Sequence, residues 1–142
     1  MKEEAAIGID LGTSNSCVAT VVDGRPRVMS NAYGERTTAS VIAFAEDGSV
    51  SVGNRARAQV ILDPTHTVSS AKRLIGRFMF SEEARKASAI ARYQIVEGER
   101  HSVRIQIREQ QFSVPEISAL VLKEMRSVAE QELGRSLEHA VV

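Results

Sequence analysis

The chain has 142 residues, 43% apolar and 25% charged, and its 18 basic side chains balance 18 acidic ones. That is ordinary globular composition for one domain or a piece of a larger one, and it excludes a disordered chain, a collagen and a coiled coil. A neutral chain has no global field to hold a nucleic-acid backbone or an anionic membrane, so neither is expected as a partner.

The individual residue types narrow the field further. The rings are few (Tyr33, Phe44, Phe78, Phe80, Tyr93 and Phe112, with no Trp), so no platform for stacking single-stranded bases is expected. Cys17 is the single cysteine, which leaves neither a disulfide framework nor a thiolate metal cage. His66, His101 and His139 lack ligand spacing. No apolar run approaches the ~18 residues of a membrane span. The segment Met1-Lys2-Glu3-Glu4 carries acids as well as a base, and Asp10 interrupts the apolar stretch behind it, unlike a secretory signal. A cytoplasmic setting is the default expectation.

In chain order, residues 5–11 form a short apolar run that stops at the turn formers Gly12, Thr13, Ser14 and Asn15. Cys17 to Val22 is a second run, ending at Asp23-Gly24, a strong hairpin signal. Pro26 to Met29 reads as a third strand, so a three-strand meander is expected, with a sheet covered on both faces. Residues 30–40 read as an ordered loop, with Tyr33 as its anchor. Val41–Phe44 and Val50–Val52 flank Glu46-Asp47-Gly48 as a second hairpin. Residues 54–62 read as a helix with Asn54 as N-cap and Asp63-Pro64 as the stop. Residues 68–75 read as a short helix ended by Gly76. Ser81 caps another, with Glu82 and Glu83 favourably placed against the helix dipole.

From Tyr93 to Val114 the period becomes two: Val103, Ile105 and Ile107 alternate with Arg104, Gln106 and Arg108. A one-sided antiparallel sheet is expected, with turns at Glu97-Gly98 and Glu109-Gln110. Pro115 then opens a helix over 115–133. Ile117, Val121, Met125 and Val128 line one face of it, joined by Leu120, Leu122 and Ala129, and Gly134 ends it. Residues 138–142 look like the start of a buried strand. A domain seldom ends inside such a strand, so a fragment of a longer protein is expected. The segment 40–114 is more polar than its flanks, which suggests an insertion between strand three and the long helix.

Two constellations carry chemistry. At Asp10-Leu-Gly-Thr-Ser-Asn15 an acid ends an apolar strand and a turn of small residues follows. Gly12 lets the backbone approach a ligand, the amides of Gly12 to Asn15 could converge on an anion, and Thr13 and Ser14 add hydroxyls. Asp10 suits a hydrated Mg²⁺. A plain β-turn reads equally well from these residues. At Lys72-Arg73-Leu-Ile-Gly-Arg77 three cations fall within six residues. Lys72 could serve a terminal phosphate or an attacking water, and a solvated helix face is the alternative. Neither signal is a Walker A loop or a dinucleotide fingerprint. Cys17, with no histidine near it in sequence, reads as a buried structural thiol rather than a nucleophile.

Together these residues resemble the DnaK family of heat-shock chaperones. Residues 7–19, Ile-Gly-Ile-Asp-Leu-Gly-Thr-Ser-Asn-Ser-Cys-Val-Ala, are similar to the family's N-terminal phosphate signature, with Ser14 where many members have Thr. Residues 31–41 resemble the segment after strand three, with Ala39 where Pro is usual. Residues 72–77 resemble the cleft-lysine segment, and 115–123 the helix that returns to the base of the lobe. The resemblance covers residues 5–142.

The resemblance implies an α/β fold: lobe I of an actin-like (ribonuclease H-like) ATPase, truncated, with a mixed sheet, helices and an inserted α+β subdomain. Residues 1–39 and 114–142 would form its lower half, residues 40–113 the upper. It implies ATP or ADP with Mg²⁺ as ligands. Asp10 would stand at the magnesium shell through water, Gly12, Thr13, Ser14 and Asn15 would hold phosphates, and Lys72 would be the catalytic lysine. Client peptides, a J-domain cochaperone and a nucleotide exchange factor are the implied partners of the whole protein. The second phosphate loop, the adenosine segment, the second lobe and the peptide-binding domain are not among these residues, so the chain alone is expected to be inactive. Another actin-like ATPase or sugar kinase and a non-catalytic chaperone modulator are the alternative readings.

Overall fold

The computed structural model describes residues 6–142. The acidic start at residues 1–4 and the first position of the 5–11 run lie outside the described residues. The chain opens as expected with an antiparallel meander of β1 (Ala6–Leu11), β2 (Asn15–Val22) and β3 (Arg25–Val28), turned at Asp23 and Gly24, both at positive φ. Two more strands join this sheet. β4 (Thr38–Ala39) pairs with β2 inside the stretch expected to be loop.

β5 (Val41–Phe44) and β6 (Val50–Val52) form the second hairpin. Helix α1 (Asn54–Leu62) follows, but its N-cap is Gly53, at φ 102, rather than Asn54. Only glycine fits there, because a Cβ on Gly53 would lie 2.9 Å from the Thr38 methyl. Asn54 is freed to accept from the Ala39 amide and to donate to the Glu35 carboxylate.

The helix expected over 68–75 is instead β7 (Thr67–Ser69), paired with β5, and a 3₁₀ turn at Ala71–Leu74. The β-branched Thr67 and Val68 are both buried, and pairing with β5 satisfies backbone groups that burial would otherwise leave costly. Ser70, between strand and turn, sits in the left-handed region at φ 57. Helix α2 (Glu82–Ile90) is capped by Ser81 as expected, its side chain accepting from the Ala84 amide.

β8 (Gln94–Glu97), β9 (Val103–Ile107) and β10 (Gln110–Ser113) make the antiparallel sheet, with Val103, Ile105 and Ile107 all buried. Arg108 donates from β9's end to the carbonyls of Phe44 and Ala45, tying this sheet to the β5 hairpin.

Helix α3 (Val114–Leu133) begins one residue earlier than expected. Ser113 and Glu116 form a capping box, each side chain meeting the other's backbone amide, and Gly134 closes the helix at φ 66. The last strand, β11 (His139–Val141), runs parallel to β1, giving the order β11-β1-β2-β3 in a mixed sheet.

Two expectations about that sheet fail. In β1 the residues alternate, Ile7 and Ile9 buried and Ala6, Gly8 and Asp10 exposed; β3 is exposed throughout. Helix α3 covers one face only, and no described residues cover the other. β11 is likewise exposed along its whole length rather than buried. Tyr33 is exposed beneath the Arg55 guanidinium, 4.7 Å above its ring, rather than anchoring its loop inward.

Packing divides along α3. Ile117 and Val121 join Ile42, Phe44, Val68, Tyr93, Ile105 and Ile107 in one apolar cluster. Met125, Val128 and Ala129 join Ile7, Ile9, Val18, Met29 and Leu137 in another. Glu132 fastens α3 to the meander, accepting from the Ser30 amide and pairing with Arg27 at 3.3 Å. No described helix is long and apolar enough to cross a membrane.

The capping box makes a checkable statement. Ser113→Ala should lower the unfolding free energy by about 1 kcal/mol in urea melts. The Ser113 amide holds the Glu116 carboxyl below the ordinary glutamate value. Its contribution is therefore full above that ordinary value and fades as pH falls through the depressed one. Glu116→Gln should flatten that part of the acid limb.

Candidate functional site

β1 and β2 are joined by a three-residue turn, Gly12, Thr13 and Ser14, and this turn is the centre of the site. It is tight: a Cβ on Gly12 would lie 2.0 Å from the Asn15 carbonyl oxygen, so no other residue fits without moving the backbone. Three carbonyls of the loop are already engaged. That of Leu11 accepts from Lys72 Nζ, that of Gly12 from Ser40 Oγ at 2.8 Å, and that of Ser14 from the Ser40 amide at 2.9 Å. Among the described residues no acceptor meets the amides of Thr13 and Ser14. A turn with occupied acceptors and unused donors suits an anion.

The structure brings the two constellations together. Lys72 lies 61 residues from Leu11 in sequence, yet its ammonium reaches the Leu11 carbonyl, next to Asp10. Lys72 can do so because the 3₁₀ turn that carries it packs on α3 through buried Ala71 and Leu74. The preceding strand is held by Tyr93, whose hydroxyl donates to the Ser69 carbonyl at 2.8 Å; burial pushes that phenol's pKa up to about 12. A small pocket between loop and turn is lined by Gly12, Thr13, Ser40, Lys72 and Ser118.

The remaining expected residues surround it. Asp10 and Ser14 flank the turn's lining residues in sequence and are exposed, and Asn15 accepts from Arg57 at 3.2 Å. Arg73 and Arg77 do not join the loop. They line a separate depression beside α2, where Arg77 pairs with Glu83 at 3.1 Å. Cys17, opposite Asp10 in the β1–β2 register, is half-buried rather than buried. The described residues form no group of three or more His, Cys, Asp or Glu for a metal. Asp10, a single exposed carboxylate near the end of β1, is the kind of lone oxygen donor that suits only a cation keeping most of its water.

Sequence reasoning missed Ser40 and Ser16. Their hydroxyls pair at 2.9 Å beneath the loop, with Ser16 only 2% exposed. No periodic signal marked them: only the two-residue pairing of β4 with β2 brings Ser40 to the turn.

The comparisons with known proteins agree with this architecture. The model of the Hsp70 protein family matches residues 6–142. The chain belongs to the Hsp70 family, whose actin-like ATPase fold accords with the mixed sheet and three helices. It is similar to the chaperone protein DnaK of Buchnera aphidicola subsp. Schizaphis graminum, 45% identical over 136 residues. That match covers 96% of this chain and 21% of the relative, so the chain spans about a fifth of the relative's length.

The tight turn yields a second checkable statement. Gly12→Ala should cost about 1–3 kcal/mol, the scale of overpacking, because the turn must shift to take a Cβ. Amide exchange at Ser16 and at residues 38–40, which pair with the turn and β2, should accelerate with it. Gly8→Ala, where a Cβ would meet nothing within 4 Å, serves as the control and should neither destabilise the fold nor speed exchange, alanine in a strand being if anything favoured over glycine.

Proposed function

We propose that this chain is the N-terminal part of the ATPase domain of a DnaK-type chaperone and contributes the first phosphate loop and the cleft lysine. The observation that carries the proposal is the Lys72–Leu11 contact, which sets a cation against an amide-rich turn across 61 residues of sequence. Gly12, Thr13, Ser14 and Asn15 hold the β- and γ-phosphates of ATP. Asp10 holds Mg²⁺ through water; the ion's part is to neutralise phosphate charge. Lys72, released from the Leu11 carbonyl, places its charge on the terminal phosphate and orients the attacking water.

Residues 1–39 and 114–142 act as the lower half of lobe I and residues 40–113 as its inserted upper half. The separate sheets, and the change of cluster along α3, support this division. In the whole protein, ATP turnover in the cytoplasm drives capture and release of client peptides, with a J-domain cochaperone and a nucleotide exchange factor as partners. The chain alone supplies one wall of the cleft. Catalysis needs reacting groups held in place and water excluded, so the isolated chain is inactive.

The test is Lys72→Ala in the full-length protein. MgATP affinity should change little, while single-turnover hydrolysis should fall by ~10²–10³-fold, the scale for one preorganised electrostatic group. An unchanged single-turnover rate would remove Lys72 from the chemistry.

A further inference from the structure

We infer that Ser40 is the positioning residue that keeps the Leu11–Asn15 turn in its donor-outward conformation and so sets how tightly the turn grips phosphate; the inference rests on reading that turn as a phosphate site. Ser40 follows β4 and is 8% exposed. It makes three hydrogen bonds at once. Its Oγ donates to the Gly12 carbonyl at 2.8 Å and its amide to the Ser14 carbonyl at 2.9 Å. With that hydroxyl proton committed to Gly12, Ser16 Oγ donates to Ser40 Oγ at 2.9 Å.

The consequence follows from peptide geometry. In a trans peptide the C=O and the next residue's N–H point in opposite directions, and none of the described peptides is cis. Holding the Gly12 carbonyl on Ser40 therefore turns the Thr13 N–H away from Ser40. Holding the Ser14 carbonyl there does the same to the Asn15 N–H. One buried residue thus orients two amides of the turn. Lys72 treats the Leu11 carbonyl similarly, but Lys72 is exposed and a bound phosphate would compete for its ammonium. Ser40 is not in that competition. Its hydroxyl pair with Ser16 is buried, where losing a partner is costly, so the anchor persists when ligand arrives.

The test is calorimetry on the full-length protein with MgATP, MgADP and adenosine. In Ser40→Ala the affinities for MgATP and MgADP should fall about tenfold, the equivalent of one hydrogen bond, while adenosine binding stays unchanged. Ser40→Thr, which retains the hydroxyl, should recover most of the loss. Ser16→Ala, which leaves the Ser40–Gly12 bond in place, should stay within about threefold of the parent. If Ser40→Ala does not fold, Ser40→Cys keeps the volume and weakens the donor, and a partial loss confined to the phosphate-bearing ligands is expected. Equal losses for adenosine and MgATP in the variant that folds, or no loss for either, would overturn the positioning role. A parent protein that gains no affinity from the phosphates of ATP over adenosine would overturn the phosphate-site reading beneath it, which is a separate result.

Discussion

Helix α3 serves two cores with one apolar face, and the rest of the structure depends on that sharing. Its first turns carry Ile117 and Val121 into the cluster of the β5 and β9 sheets, and its later turns carry Met125, Val128 and Ala129 onto the meander. An α-helix is stiff over this length, so the two clusters are held at a fixed separation. The turn after β1 belongs to one side and the 3₁₀ turn bearing Lys72 to the other. Ile117, Ser118 and Val121 line the same pocket as Gly12 and Lys72, so the helix forms the floor on which both constellations meet.

Much of this was legible in the sequence, for physical reasons. The meander was readable because Asp23-Gly24 joins two apolar runs, and β9 because strict alternation of Val103, Ile105 and Ile107 has no helical reading. Helix α3 was readable from its 3.6-residue stripe and its Pro and Gly boundaries. The errors cluster where tertiary pairing overrides local preference. Residues 67–69 pair with β5 and become strand, and the following turn tightens to 3₁₀. Asn54, a good capping residue by composition, is drawn instead to Glu35 and Ala39. The exposure of β11 and of one face of β1 follows from what packs against them, which local sequence does not record.

The site divides the same way. The turn and the lysine segment stood out because glycine, hydroxyls and cations are dense there. That Lys72 meets Leu11 while Arg73 and Arg77 face α2 depends on the direction of a single 3₁₀ turn, set by buried Ala71 and Leu74. Ser40 was silent because its role needs β4 beside β2, a two-residue pairing with no periodic signature. The Hsp70 match assigns the family, and the geometry adds how the turn's carbonyls are taken up so that its amides face outward.

The most direct measurement is the amide chemical shifts of Gly12 to Asn15 in the full-length protein, titrated with AMP and with MgADP. The account predicts that MgADP moves the Thr13 amide downfield, as a donor gaining a phosphate acceptor, and that AMP leaves it where it is. Shifts of equal size with both nucleotides, or a turn that does not respond while other residues do, would contradict it.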